Sequence, residues 1–96
     1  MRSTADLTID DFRPRLGRTV PVETTGGLFE LKVVQVQELP PGARAAGAFR
    51  LEFQGPLQPL LHQSSYIFQL GRARCPIFIV PLGPSGPAMR YEAIFY

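Results

Sequence analysis

The chain has 96 residues, with 45% hydrophobic and 19% charged side chains, and ten Lys and Arg against eight Asp and Glu give a net charge of +2. Those values describe one domain, residues 1–96, too apolar to stay disordered and too weakly charged to gather nucleic acid or anionic lipid by its field alone. A single cysteine, Cys75, and a single histidine, His62, exclude an internal disulfide and a thiol-rich or multi-histidine metal site within one chain, so no metal and no cofactor is expected.

The opening "MRSTADLTIDDF" has no apolar core of a secretory leader, and no run approaches the ~20 apolar residues of a membrane span, so a cytoplasmic location with no membrane contact is expected. "LTIDDFRPRLG" is the one helical candidate. Thr8 suits an N-cap, Asp10 and Asp11 suit the first turn, and Gly17 suits a stop. Pro14 cannot continue a helical hydrogen-bond ladder, so one or two turns are predicted, with Phe12 and Leu16 packed over one end of a sheet.

Every later apolar run has the character of a strand. "RTVPVE" carries Pro21, which suits an edge or a bulge. In "LFELKVVQVQEL", Phe29, Leu31 and Val33 share one face, after which Val34 and Val36 take alternate positions. A period of two changes phase only by an extra residue, which predicts a β-bulge at Val33 and Val34. "PPGARAAGA" reads as a flexible connector. "FRLEFQGP" places Phe49, Leu51 and Phe53 inward and Arg50, Glu52 and Gln54 outward.

"LQPLLHQSS" is irregular and "YIFQL" is a strand. After "GRAR", the run "CPIFIVPL" is apolar on both faces, which suits a central strand or one covered by another chain. "GPSGPA" turns into "MRYEAIFY", where Met89, Tyr91, Ala93 and Phe95 share a face. The predicted fold is all-β and mainly antiparallel, a compact barrel or sandwich of about six strands with one short N-terminal helix.

The chemistry-bearing residues give few leads. A catalytic role would pair His62 with Ser64 or Ser65, but no carboxylate lies near in sequence to orient the ring and no nucleophile elbow is present. Cys75 has Arg72 and Arg74 close by, yet it opens a buried strand and reads as a small apolar residue. Glu30, Glu52 and Glu92 fall on outward phases and read as solvated. Arg13, Arg15 and Arg18 beside Phe12 form a weak basic patch of the kind that small barrels use on single-stranded nucleic acid, diluted by the two aspartates upstream. "GPSG" has the letters of a backbone-clamping loop, but a strand follows it rather than a helix whose free N–H groups would hold an anion, so a hairpin is predicted.

The segments "LTIDDFRPRLGRTV", "LFELKVVQVQEL", "FRLEFQGP" and "IFIVPLGPSGPAMRYEAIFY" together resemble a family of small bacterial all-β proteins classed as a domain of unknown function. Members of that family are similar to proteins encoded beside phage-tail-collar-like, microcystin-dependent-type proteins. The resemblance therefore implies an accessory to a fibre or tail-like assembly. "FQLGRARCP" departs most from the pattern.

The function expected from the residues is a non-enzymatic protein–protein interaction module, either self-associating, as in a homodimer, or docking on a larger partner. Its candidate interface is Ile77, Phe78, Ile79, Val80, Tyr91, Phe95 and Tyr96, aromatic and aliphatic groups of the kind that anchor interfaces. The last strand, running to Tyr96, would also be open to β-augmentation. The alternative is a small barrel that binds single-stranded nucleic acid or a small ligand.

Overall fold

In the computed structural model, which describes residues Met1–Tyr96, six antiparallel strands close into a barrel. They are β1 (Thr19–Thr24), β2 (Gly27–Glu38), β3 (Phe49–Pro56), β4 (Ser64–Leu70), β5 (Ala73–Ser85) and β6 (Ala88–Phe95). Their order around the barrel is β1-β2-β3-β6-β5-β4. Two three-stranded meanders, β1–β2–β3 and β4–β5–β6, are thus joined along β3 and β6 and closed between β1 and β4.

Two bulges supply the extra coil that a small barrel needs. The β2–β3 register shifts between Val33 and Gln35, which leaves Val34 as the extra residue that the phase change in the sequence predicts. The β5–β6 register shifts between Pro81 and Gly83, with Gly83 at a φ of +118°. "GPSG" is therefore split between two jobs: Gly83 follows a bulge, and Gly86, at a φ of +57°, makes the tight turn from Ser85 to Ala88.

Pro21 lies in a strand paired on both sides, not at an edge. Its effect is on the closing seam. Only Val22–Phe68 and Glu23–Ile67 pair across β1 and β4, and the ladder stops one residue short of Pro21, which has no N–H to donate. Glu23 reinforces the seam by accepting from Arg74 Nε and Nη2, at 2.8 and 2.7 Å, and from Gln69 Nε2 at 3.1 Å.

Alternation puts Val20, Val22, Leu31, Val33, Phe49, Leu51, Phe53, Phe68, Leu70, Cys75, Ile77, Ile79, Tyr91, Ala93 and Phe95 inside, and no buried residue is polar or charged. Six strands leave room for side chains and little else. Phe49 and Phe95 stack at 4.3 Å between ring centroids, with Phe12 about equally close to both, at 5.9 and 6.0 Å.

That aromatic trio is one end of the barrel, and the N-terminal segment covers it. The short helix forms as 3₁₀ turns, Ile9–Asp11 and Arg13–Arg15, preceded by a third at Thr4–Asp6. The Thr8 N–H donates to the Asp11 carboxylate at 2.8 Å, the return half of a capping box. Phe12 is fully buried as predicted, but Leu16 is 53% exposed. With three residues per turn instead of 3.6, a residue four positions on points about 120° away, and Leu7, fully buried, fills the place instead.

The connector "PPGARAAGA" is pinned, contrary to its composition. The Leu39 N–H donates to Ala48 O at 3.0 Å, and the Ala43 and Arg44 N–H groups donate to Tyr96 O at 2.9 and 3.2 Å. Arg44 ties the whole end together. Its Nη2 donates to the carbonyls of Leu7 at 2.7 Å and Thr4 at 3.0 Å, its Nη1 donates to Gly47 O at 2.5 Å, and its guanidinium lies 5.4–5.6 Å from the centroids of Phe95 and Phe49. At the opposite end, Leu61 from the β3–β4 connection is buried, and its N–H donates to Tyr91 Oη at 3.0 Å.

Arg44→Ala removes several charge-assisted hydrogen bonds and two cation–π contacts, so it should lower the unfolding free energy by about 2–4 kcal/mol in urea titration. Arg72→Ala, in the exposed β4–β5 turn, should stay within about 0.5 kcal/mol.

Candidate functional site

With the interior filled, the exposed apolar side chains lie outside. On β5 the outward residues Phe78, Val80 and Leu82 follow the inward Ile77 and Ile79. On β6, Ile94 points outward between Ala93 and Phe95. Val80 faces Glu92, so continuing that register brings Phe78 beside Ile94, and these two are 51% and 56% exposed. On the other flank Phe78 faces Ser65. "CPIFIVPL" is thus apolar on both faces because one face is barrel core and the other is open to solvent.

The seven candidate interface residues divide accordingly. Ile77, Ile79, Tyr91 and Phe95 are in the barrel core and have no surface to offer, while Phe78, Val80 and Tyr96 are outside. Ile94, not singled out from the sequence, joins them. Its signal was an apolar residue on the outward phase of an alternating strand. The terminal strand has no free edge, because β6 pairs with β3 on one side and β5 on the other, so β-augmentation there is ruled out by the ladder itself.

Beside the apolar pair, the outer face of β3 and β6 carries a closed charge network. Arg50 Nε donates to Glu92 Oε2, Arg50 Nη2 to Glu52 Oε1 at 2.9 Å, and Arg90 reaches Glu52 through Nε and Nη2 at 2.9 and 3.0 Å. Gln35 accepts from Arg50 Nη1 at 2.8 Å. Glu52 and Glu92 are therefore not the freely solvated groups that their outward phase suggested: the Glu52 side chain is only 12% exposed. Its hydrogen bond from Arg90, then that from Arg50, holds its pKa down at about 2. The same logic holds Glu23 at about 2, through Arg74 first and Gln69 second.

The three arginines of the basic patch do not share a track. Arg13 pairs with Asp10 at 2.7 Å and Glu38 at 3.5 Å and lines a depression with Ile9, Leu39 and Phe49. Arg15 and Arg18 line a different one. No hydrogen bond joins the His62 ring to Ser64 or Ser65; the contact His62 makes is through its carbonyl, which accepts from Tyr66 Oη at 2.7 Å. Cys75 is fully buried, and burial pushes its thiol pKa up, away from a reactive thiolate. No three His, Cys, Asp or Glu side chains gather closely enough to hold a metal ion, and no helix is long and apolar enough to cross a membrane.

Residues 7–95 match the model of a family described as a domain of unknown function, DUF6916. No curated protein and no solved structure matches the chain. The match spans all six strands and nearly all of the chain, and the chain belongs to that family.

The two strongly depressed carboxylates set an acid limit. Glu23 and Glu52 titrate near 4.5 when unpaired and at about 2 in the barrel, so their contribution is complete above pH ~4.5 and is lost as the pH falls towards 2. Stability measured against pH should decline across that window. Glu52→Gln should make the decline shallower, because its side chain no longer binds a proton on unfolding.

Proposed function

We propose that this DUF6916 member is a non-catalytic interaction module that docks on a protein partner through the outer face of β5 and β6. The observation that carries this reading is the side-by-side exposure of Phe78 and Ile94. Large apolar groups that remain in water on a rigid surface cost the free protein solvation, and adjacent ones framed by charges are the usual core and rim of an interface. Here the framework is rigid because both strands are hydrogen-bonded on both sides.

The rim suits a specific contact. Arg50, Glu52, Arg90 and Glu92 hold one another in place, so they present fixed, alternating charge and lose little side-chain freedom when a partner arrives. The resemblance to bacterial proteins encoded beside phage-tail-collar-like proteins supports a partner from a fibre or tail-like assembly, met in the cytoplasm. Self-association would use the same face.

A Phe78→Asp, Ile94→Asp double variant tests the reading. Both positions are exposed, so thermal stability should change little, while capture of the partner from the native host, or concentration-dependent self-association by light scattering, should weaken at least about tenfold. Undiminished association in the folded variant would contradict the assignment of this face.

A further inference from the structure

The arginines of this chain divide into two groups. Arg2, Arg13, Arg50, Arg74 and Arg90 are each paired with a carboxylate, and Arg44 is satisfied by carbonyls. Arg15, Arg18 and Arg72 have no carboxylate partner, and they sit at one corner of the barrel. Arg15 and Arg18 line an open depression of about 370 Å³ together with Thr19, Pro21, Gln69 and Gly71, and Arg72 is the next residue in the same turn as Gly71. We propose that this depression, where the β1–β4 seam parts beyond Pro21, binds the phosphate group of a small phosphate monoester.

The seam creates the space. Pairing ends at Val22–Phe68, so the Thr19–Pro21 segment of β1 and Gln69 of β4 diverge and the depression lies between them. Gly71, at a φ of +65°, carries the chain round without a side chain, and a Cβ there would stand 3.8 Å from Arg15 Nη2. The turn therefore passes beside that guanidinium without a side chain to cover it further, and Arg15 stays partly exposed.

Arg15 is also held in position. Its Nη1 donates to Asp11 O at 2.6 Å, and Asp11 is itself fixed by Arg2 and by the Thr8 N–H. That leaves Nη2 and Nε of Arg15, the whole guanidinium of exposed Arg18 and the Thr19 hydroxyl as donors around one opening. Two guanidinium forks match the tetrahedral oxygens of a phosphate in charge and geometry. Two flanking carboxylates are already engaged, Asp11 by Arg2 and Glu23 by Arg74 and Gln69. The third, exposed Glu30 opposite Pro21, shares the outer face of β2 with Lys32, which lies opposite Thr19 and adds a further positive charge to that side.

A single phosphate group fits better than a nucleic-acid strand. A strand needs a continuous basic track and aromatic platforms for its bases. Arg13, the third member of the sequence cluster, opens into a separate depression and is neutralised by Asp10 and Glu38, and no aromatic side chain lines the Arg15–Arg18 depression.

The test is an amide and arginine side-chain NMR titration of the full chain with inorganic phosphate, a hexose phosphate and a short single-stranded oligonucleotide, at matched ionic strength against chloride. The expected result is saturable shifts at Gly71, Arg15 and Arg18 with both phosphates. Arg18→Gln, at an exposed position away from the Asp11 contact, should weaken binding about tenfold, as loss of a charge-assisted bond implies, and Arg13→Gln should leave it unchanged. No saturation up to about 10 mM phosphate, or equal binding by a folded Arg18→Gln variant, overturns the proposal. So does oligonucleotide binding that is tighter than the monoester and lost in Arg13→Gln, which would assign the surface to a nucleic-acid strand.

Discussion

Closure between β1 and β4 is the constraint from which the rest of the molecule follows. A six-stranded antiparallel sheet has two edges, and each would expose a row of unpaired backbone groups. Here they meet across only two residue pairs, Val22–Phe68 and Glu23–Ile67. So short a ladder leaves much of the work to other contacts. The bulges at Val34 and Leu82 coil the sheet until its edges meet, and Glu23 with Arg74 and Gln69 bridges the seam from outside. The two ends are plugged by chain that is not strand at all, the N-terminal 3₁₀ turns under Arg44 at one and Leu61 under Tyr91 at the other.

That construction narrows what the protein can use for recognition. The interior is occupied by aromatic and aliphatic side chains, and the sheet edges bond each other, which leaves the outer faces and the corner where the seam parts. These two surfaces differ in chemistry. The β5–β6 face offers exposed apolar area framed by internally neutralised charge, suited to a protein surface, whereas the Arg15–Arg18 corner offers positive charge that the chain does not itself neutralise. They lie on different strands, so one barrel has room for both contacts at once.

Much of the barrel was legible because strand phase is a local signal. "FRLEFQGP" fixes its own inward residues, and the change of phase at Val33 and Val34 marks a bulge before any partner strand is known. What alternation does not contain is the identity of neighbours. Nothing in "MRYEAIFY" says that β6 lies between β3 and β5, so the sequence left its edge apparently free. The two-faced apolar run in β5 named the right strand but did not distinguish core from surface: Ile77 and Ile79 entered the barrel, and Phe78 stayed out. Arg44 was invisible for a related reason. A single arginine in a glycine- and alanine-rich stretch looks like connector, and its meaning depends on carbonyls about forty residues away. Likewise Glu52 and Glu92 follow the outward phase, but only pairing across β3 and β6 reveals that arginines hold them.

Native-state hydrogen exchange tests closure most directly, because it reads the seam independently of any ligand or partner. If the barrel is closed as described, the β1 and β4 amides that bond across Val22–Phe68 and Glu23–Ile67 exchange far more slowly than the unbonded amides of Ala45 and Ala46 in the β2–β3 connection, and at rates approaching those of β3 and β6. If the β1 and β4 amides on that side exchange as fast as loop amides while β2, β3, β5 and β6 stay protected, the sheet is open. Its two outer strands would then be edges available to another chain, and recognition would not be confined to the outer faces and the seam corner.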